Sequence, residues 1–210
     1  MNTQTHLLIS ALLFTKPGKT GRNIAVLIGA VLPDAFLFYF WFWGKAQGIQ
    51  QNVLWGKQYW QDPWQTLSAI SNSIFLYGLL AVMGWSVMST FARIPGYTNS
   101  KNVWFRISGD FVMFLGVSAL IHLAFDFPFH AGDAHQHFWP FFEWRFHSPL
   151  SYWEKGHFGG FVQIAEMLLA ICAILILFRR FASLHIRFWL CVAGTLYVGV
   201  PVYWVISTVG

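Results

Sequence analysis

Five long apolar stretches, about 23–43, 66–90, 104–127, 158–178 and 186–208, take up most of the chain and dictate what it can fold into. An α-helix needs about 20 apolar residues to cross the hydrocarbon of a bilayer, and each stretch meets that length. Backbone groups cannot stay unpaired in lipid, and the alternation of barrel strands is missing, so each stretch reads as a helix. A sixth segment, about Thr5 to Phe14, is too short to cross alone. The expected fold is an all-α integral membrane protein, a bundle of about five transmembrane helices plus a short N-terminal half-helix. Thr3 or Thr5 is expected to cap that half-helix. With no repeat, low-complexity tract or linker, residues 1–210 read as a single helical membrane domain.

Charge supports this and excludes other classes. Only 10% of the residues are charged, against about 25% in soluble domains, while 56% are hydrophobic, which rules out a disordered chain. The net charge of +5 does not imply nucleic acid, because the basic residues sit in short loops and form no stripe. Segments 15–22, 91–106 and 179–187 each carry three basic and no acidic residues: Lys16, Lys19 and Arg22; Arg93, Lys101 and Arg106; Arg179, Arg180 and Arg187. The positive-inside rule makes those loops cytoplasmic and puts the loop 128–157 on the opposite face. Several Trp residues end apolar runs, as in an aromatic belt. Cys172 and Cys191 lie within spans and read as small lipid- or core-facing residues. The N-terminal sequence has neither the basic start nor the cleavage site of a removable signal peptide.

Ionisable side chains inside spans are costly and point to function. They are Asp34, Asp110, His122, Asp126 and Glu166, with His6 on the half-helix. His122 and Asp126 stand four residues apart and share a helix face, and Pro128 ends that helix. The pair either binds an ion or forms a hydrogen bond that ties down the helix end. Asp34 follows Pro33 in an otherwise uncharged span, where a kink is expected. An unneutralised carboxylate there would cost several kcal/mol, so it is ligated, protonated or paired. At 1.5 Å per residue, Asp34, His122 and His6 lie about 17, 22 and 12 Å from the cytoplasmic ends of their helices, so they can converge. Asp110 is accounted for by an ion pair with Arg106 four residues earlier, and Glu166 has no evident partner.

Six of the eight histidines, His122, His130, His135, His137, His147 and His157, fall within residues 122–157. Asp133, His135 and His137 alternate and would face one way in an extended loop. Histidine with carboxylate suits a divalent metal, zinc first, with iron or manganese where oxygen ligands dominate. A proton-sensing cluster is the alternative without a metal.

Thr5-His6, the Gly-x-x-x-Pro-Asp run from Gly29 to Asp34, and His122-x-x-x-Asp126 followed by Trp139-Pro140-Phe141 resemble a family of bacterial inner-membrane proteins, the YdjM-like predicted membrane-bound metal-dependent hydrolases. The similarity covers about half the chain. It implies a multi-pass protein of the bacterial inner (plasma) membrane with His6, Asp34, His122 and Asp126 as the metal-associated set. That family carries a His-Arg-Gly-x-x-His-Ser segment at the start of the next span, where this chain reads Leu-Ser-Ala-Ile-Ser-Asn-Ser over 67–73. Asn72 is the candidate stand-in.

The functional expectation is a metal-dependent hydrolase that uses a metal-activated water on an ester or phosphoester of a membrane lipid or lipid-linked substrate at the outer face. His130, His135, His137 and His157 are candidate additional ligands, Glu143 or Glu154 the candidate general base, and Arg145 the candidate phosphate-binding residue. The competing readings are a non-catalytic metal-binding subunit packed against membrane-protein partners and a transporter. The transporter reading suffers from the lack of a duplicated half.

Overall fold

The structure is a computed structural model that describes residues 1–92 and 100–209, the side chains of 91, 92, 100–104, 106 and 201–209 excepted. The described residues form helices and no strand. In order these are α1 (Thr3–Phe14), α2 (Thr20–Val31), α3 (Ala35–Ala46), the single turn α4 (Gln51–Val53), α5 (Trp64–Ser71), α6 (Ile74–Ala92), α7 (Ser100–Asp126), α8 (Gly159–Arg180) and α9 (Leu184–Val209). A π-helical turn, Leu54–Gln58, continues α4.

Four helical stretches are long and apolar enough to cross a membrane: Thr20–Ala46, Trp64–Thr90, Ile107–Phe129 and Gly159–Arg180. The stretch expected at 186–208 falls in α9, whose described apolar part, Leu184–Val200, is shorter than a full crossing. The loop cations Arg93, Lys101 and Arg106, and with Arg106 the pairing expected for Asp110, lie outside the described side chains. Cys172 and Cys191 are free and exposed.

Two crossings are interrupted, each beside the candidate site. Pro33 has no amide to donate and sits in a 3-10 turn, Leu32–Asp34, that separates α2 from α3. The second break, at Asn72-Ser73, separates α5 from α6 and was not anticipated from the sequence. It is filled by long-range bonds: Ile74 N donates to His137 O at 2.9 Å, and Ser73 Oγ to Trp139 O at 2.7 Å. The histidine-bearing loop is thereby pinned to the head of α6.

α7 is the axis of the bundle, packed along α6 and α2. Small residues permit the approach, as is usual where lipid supplies no hydrophobic drive between helices. A Cβ on Gly29 would stand 2.2 Å from Leu115 O, and one on Gly84 2.2 Å from Met113 N. At the first crossing Ser118 Oγ donates to Val26 O at 2.6 Å.

The half-helix α1 lies against α2, α7 and α8. Its N-cap position is Asn2, which makes no side-chain capping bond. The capping role expected of Thr3 or Thr5 is corrected accordingly: both hydroxyls are drawn to carboxylates on other helices, Asp34 and Glu166. At the other end Arg180 donates to Leu12 O at 2.7 Å and Thr15 O at 3.1 Å, satisfying carbonyls that a helix terminus leaves open.

Candidate metal centre

Asp126 ends α7 with its side chain 3% exposed, and nitrogen groups from three other places converge on it. His6 Nε2, from α1, is 2.9 Å from Oδ1, and His122 Nε2, one turn earlier on α7, is 3.1 Å from Oδ2. His130 Nε2 is 3.4 Å from Oδ1, and the Met1 amino group bonds the same oxygen. Asp34 completes the group, with Oδ1 3.5 Å from His122 Nε2 and Oδ2 accepting from the Thr3 hydroxyl. Pro33 turns the chain so that Asp34 stands at the N-cap position of α3 without capping it, leaving its carboxylate for the cluster.

The tautomer of His122 is set by its surroundings. Nδ1 lies 2.7 Å from Ala30 O, and a carbonyl only accepts, so Nδ1 carries a proton. In a neutral ring Nε2 is then a bare lone pair facing two carboxylates. A proton or a cation has to lie between them. A backbone carbonyl holding the remote nitrogen of a histidine is also the usual outer partner of a metal-ligating imidazole. His6 lacks that outer partner, its Nδ1 being buried with no hydrogen-bond partner, but its Nε2 faces Asp126 and its ring stacks on that of His122 with centroids 3.7 Å apart. One ligand atom from each of His6, His122 and Asp126 lies within 4.8 Å of the others, and these three could hold a metal ion.

The loop contributes a second tier. His130 has its side chain 6% exposed, and Nδ1 is 3.1 Å from Asp133 Oδ2. Neither ring nitrogen makes a hydrogen bond, because the carboxylates lie off the bonding directions. Burial opposes its charge, but Asp126 and then Asp133 more than offset this and raise its pKa to about 9. His135, beside it with ring centroids 4.8 Å apart, goes the other way. Burial, reinforced by the neighbouring His130 and His137, pushes His135 down to about 3, so it is neutral at physiological pH. Its Nδ1 is 3.4 Å from Tyr59 OH. His137 donates from Nδ1 to Asn72 O at 3.2 Å. Asn72 therefore acts on the loop through its main chain, while its amide donates back to Ser68 O at 2.9 Å.

Other expected residues stand apart. His157 is exposed, with Nε2 3.9 Å from Glu154 Oε2, and His147 is exposed with Nδ1 on Ala131 O. Glu143 is exposed at the surface. Arg145 is committed to Ala134 O and Gln65 Oε1, both at 2.6 Å, and lies over Trp60. Glu154 reaches a cavity of about 630 Å³ lined by His130, Asp133, His135 and a set of aromatic rings. Glu166 does have partners, accepting on Oε1 from Asn2 N at 2.8 Å and from Thr5 Oγ1. The polar side chains Thr3 and Thr5 at the start of the half-helix were the available signal for these contacts.

No known protein family, curated protein or solved structure matches the chain.

Proposed function

We propose that this protein is a membrane-embedded metal-dependent hydrolase acting on an ester or phosphoester of a lipid or lipid-linked substrate, of the kind that the resemblance to the YdjM-like proteins implies. The observation that carries the reading is the three-ligand set of His6, His122 and Asp126, buried at the edge of a spanning helix and joined through His130 to a cavity. Three protein ligands with further coordination to spare are the usual pattern of catalytic rather than structural sites. Zinc suits two imidazoles and a carboxylate best, and iron or manganese would be favoured if Asp34 also binds.

Bound there, a divalent cation supplies Lewis acidity and activates water for attack on the substrate. The chain's own residues arrange the rest. Ala30 O keeps Nε2 of His122 turned toward Asp126 and Asp34, and Thr3 holds Asp34 in place. Glu154 lines the cavity and accepts on Oε1 from Gly132 N at 2.9 Å, and it is the candidate proton acceptor there. His130, with Nε2 3.4 Å from Asp126 Oδ1, stands between the cluster and the cavity, within reach of a group bound there. In the orientation set by the basic loops, this chemistry faces the non-cytoplasmic side of a bacterial inner membrane.

The test is bound metal measured by mass spectrometry on protein purified in mild detergent, beside His122→Ala and Asp126→Ala, followed by hydrolysis of lipid phosphoesters. Stoichiometric metal lost in both variants, with activity lost in parallel, supports the reading. Metal without hydrolysis would make the chain a non-catalytic subunit, and a wild type that holds no metal would remove the hydrolase reading altogether.

A further inference from the structure

The cavity beside the cluster has a composition that the hydrolase reading does not require. Trp55, Tyr59, Trp60, Tyr152 and Trp153 supply most of its wall, and Asp133 and Glu154 supply carboxylates. Among the described residues, its lining includes no Lys or Arg. Trp55 and Tyr59 are held from behind by Phe40, which is fully buried and has ring centroids 5.3 and 5.8 Å from theirs. The wall is therefore built on packed core.

The polar tips of three of these five rings are already used. Trp55 Nε1 donates to Gln51 Oε1 at 3.2 Å, and Trp153 Nε1 to Asp133 Oδ2 at 3.1 Å. Tyr59 OH lies 3.1 Å from Ser68 Oγ. What those three rings still offer the cavity is π-surface, which attracts a cation through the ring quadrupole. Trp60 shows the same affinity internally, since the Arg145 guanidinium lies 5.7 Å from its ring centroid. The carboxylates add a second attraction. Asp133 Oδ1 is buried and has no hydrogen-bond partner. The nine-tenths-buried His130, with both ring nitrogens unbonded, marks the wall between this cavity and the metal cluster.

We propose that the cavity binds a quaternary alkylammonium group, the trimethylammonium head of a zwitterionic phospholipid, between the Trp55, Tyr59 and Trp153 rings and the carboxylates of Asp133 and Glu154. The proposal names the substrate class of the same site and rests on the hydrolase reading for the phosphoester next to the cluster. Recognition of the ammonium stands on the cavity alone. Aromatic enclosure with a nearby anion is the general solution for such groups, because a bulky, weakly hydrated cation loses little on leaving water.

Native mass spectrometry of the whole chain in a non-ionic detergent tests this, since each spectrum reports bound metal and bound lipid together. The probes are short-chain phosphatidylcholine, short-chain phosphatidylglycerol and free choline. Phosphatidylcholine is expected to bind about tenfold or more tighter than phosphatidylglycerol. Trp55→Leu and Glu154→Gln should each erase most of that preference with the metal retained, and Trp55→Phe should keep it because a ring face remains. Choline binding as tightly as phosphatidylcholine would support the pocket and assign it to a soluble source. Equal binding of the two lipids by metal-loaded protein would overturn the proposal and leave the metal site standing. So would a preference that survives both Trp55→Leu and Glu154→Gln. If the preference for phosphatidylcholine appears in protein that holds no metal, the pocket stands and the hydrolase reading falls.

Discussion

The imidazole rings of His6 and His122 lie stacked, 3.7 Å between centroids and 16° between planes, with Nε2 atoms directed to opposite oxygens of Asp126. Two imidazolium rings at that separation would repel strongly in a buried setting, so they cannot both be charged at little cost. One shared cation satisfies both rings and the carboxylate together. The contact also joins the half-helix α1 to the axis α7, which makes the cluster a structural joint as well as a candidate site.

The Thr3 hydroxyl holds one oxygen of Asp34 and leaves the other facing His122. Thr3→Val removes the donor to Oδ2 and should weaken metal binding by about 10–100-fold, the usual effect of losing an outer partner. Thr3→Ser should retain most of the affinity. Titration of chelator-stripped protein with zinc measures both, and unchanged affinity in Thr3→Val would exclude Asp34 from the metal set.

Glu166 holds the start of α1 to α8 through Asn2 N and Thr5 Oγ1. Glu166→Ala should release that turn, displace His6 and reduce bound metal, although Glu166 touches no ligand atom. Glu166→Gln keeps an acceptor oxygen and should restore the metal. Should both variants retain it equally, α1 is positioned without the Glu166 contact, by its packing and its bonds to Arg180 and Asp34.

Gly29 sets the closest approach of α2 to α7. A methyl group there meets Leu115 O at 2.2 Å and Ser118 Cβ at 2.9 Å, and backbone cannot yield cheaply. Gly29→Ala should cost about 1–3 kcal/mol and shift Ala30 O away from His122, lowering both thermal stability and metal affinity. Gly78→Ala, with nothing within 4 Å, is the matched control and should change neither.

His135 predicts an acid limb in the stability of metal-free protein. Its pKa is about 3 when folded and 6.5 when exposed, so below pH 6.5 the unfolded chain takes up a proton that the native state refuses. Stability from this residue is complete above pH 6.5 and is lost as the pH falls from there toward 3. His135→Gln cannot titrate, so the gap in unfolding temperature between wild type and variant should close as the medium is acidified. A gap independent of pH would place His135 in contact with water.

The helices and several site residues were legible because helix geometry is local. Apolar length predicted helical spans near four of the stretches found, the i,i+4 relation put His122 and Asp126 on one face, and Pro33 marked the break that frees Asp34. Charge inside an apolar span marked its own cost, so the carboxylates and His6 were visible without any knowledge of packing. Tertiary structure alone decided which of these groups meet. His130, His135 and His137 turn inward because the loop is pinned at Ser73, Ile74 and Asn72, while His147 and His157, as conspicuous in sequence, stay at the surface. Thr3 and Thr5 lie inside α1, past the N-cap position at Asn2, and their hydroxyls go to the carboxylates of Asp34 and Glu166. The aromatic cavity draws its wall from residues 55–60 and 152–153, which no local rule relates. A helix is written into neighbouring residues by a fixed rise and turn, but a site gathers residues from distant parts of the chain, and their meeting is settled by how closely the helices pack.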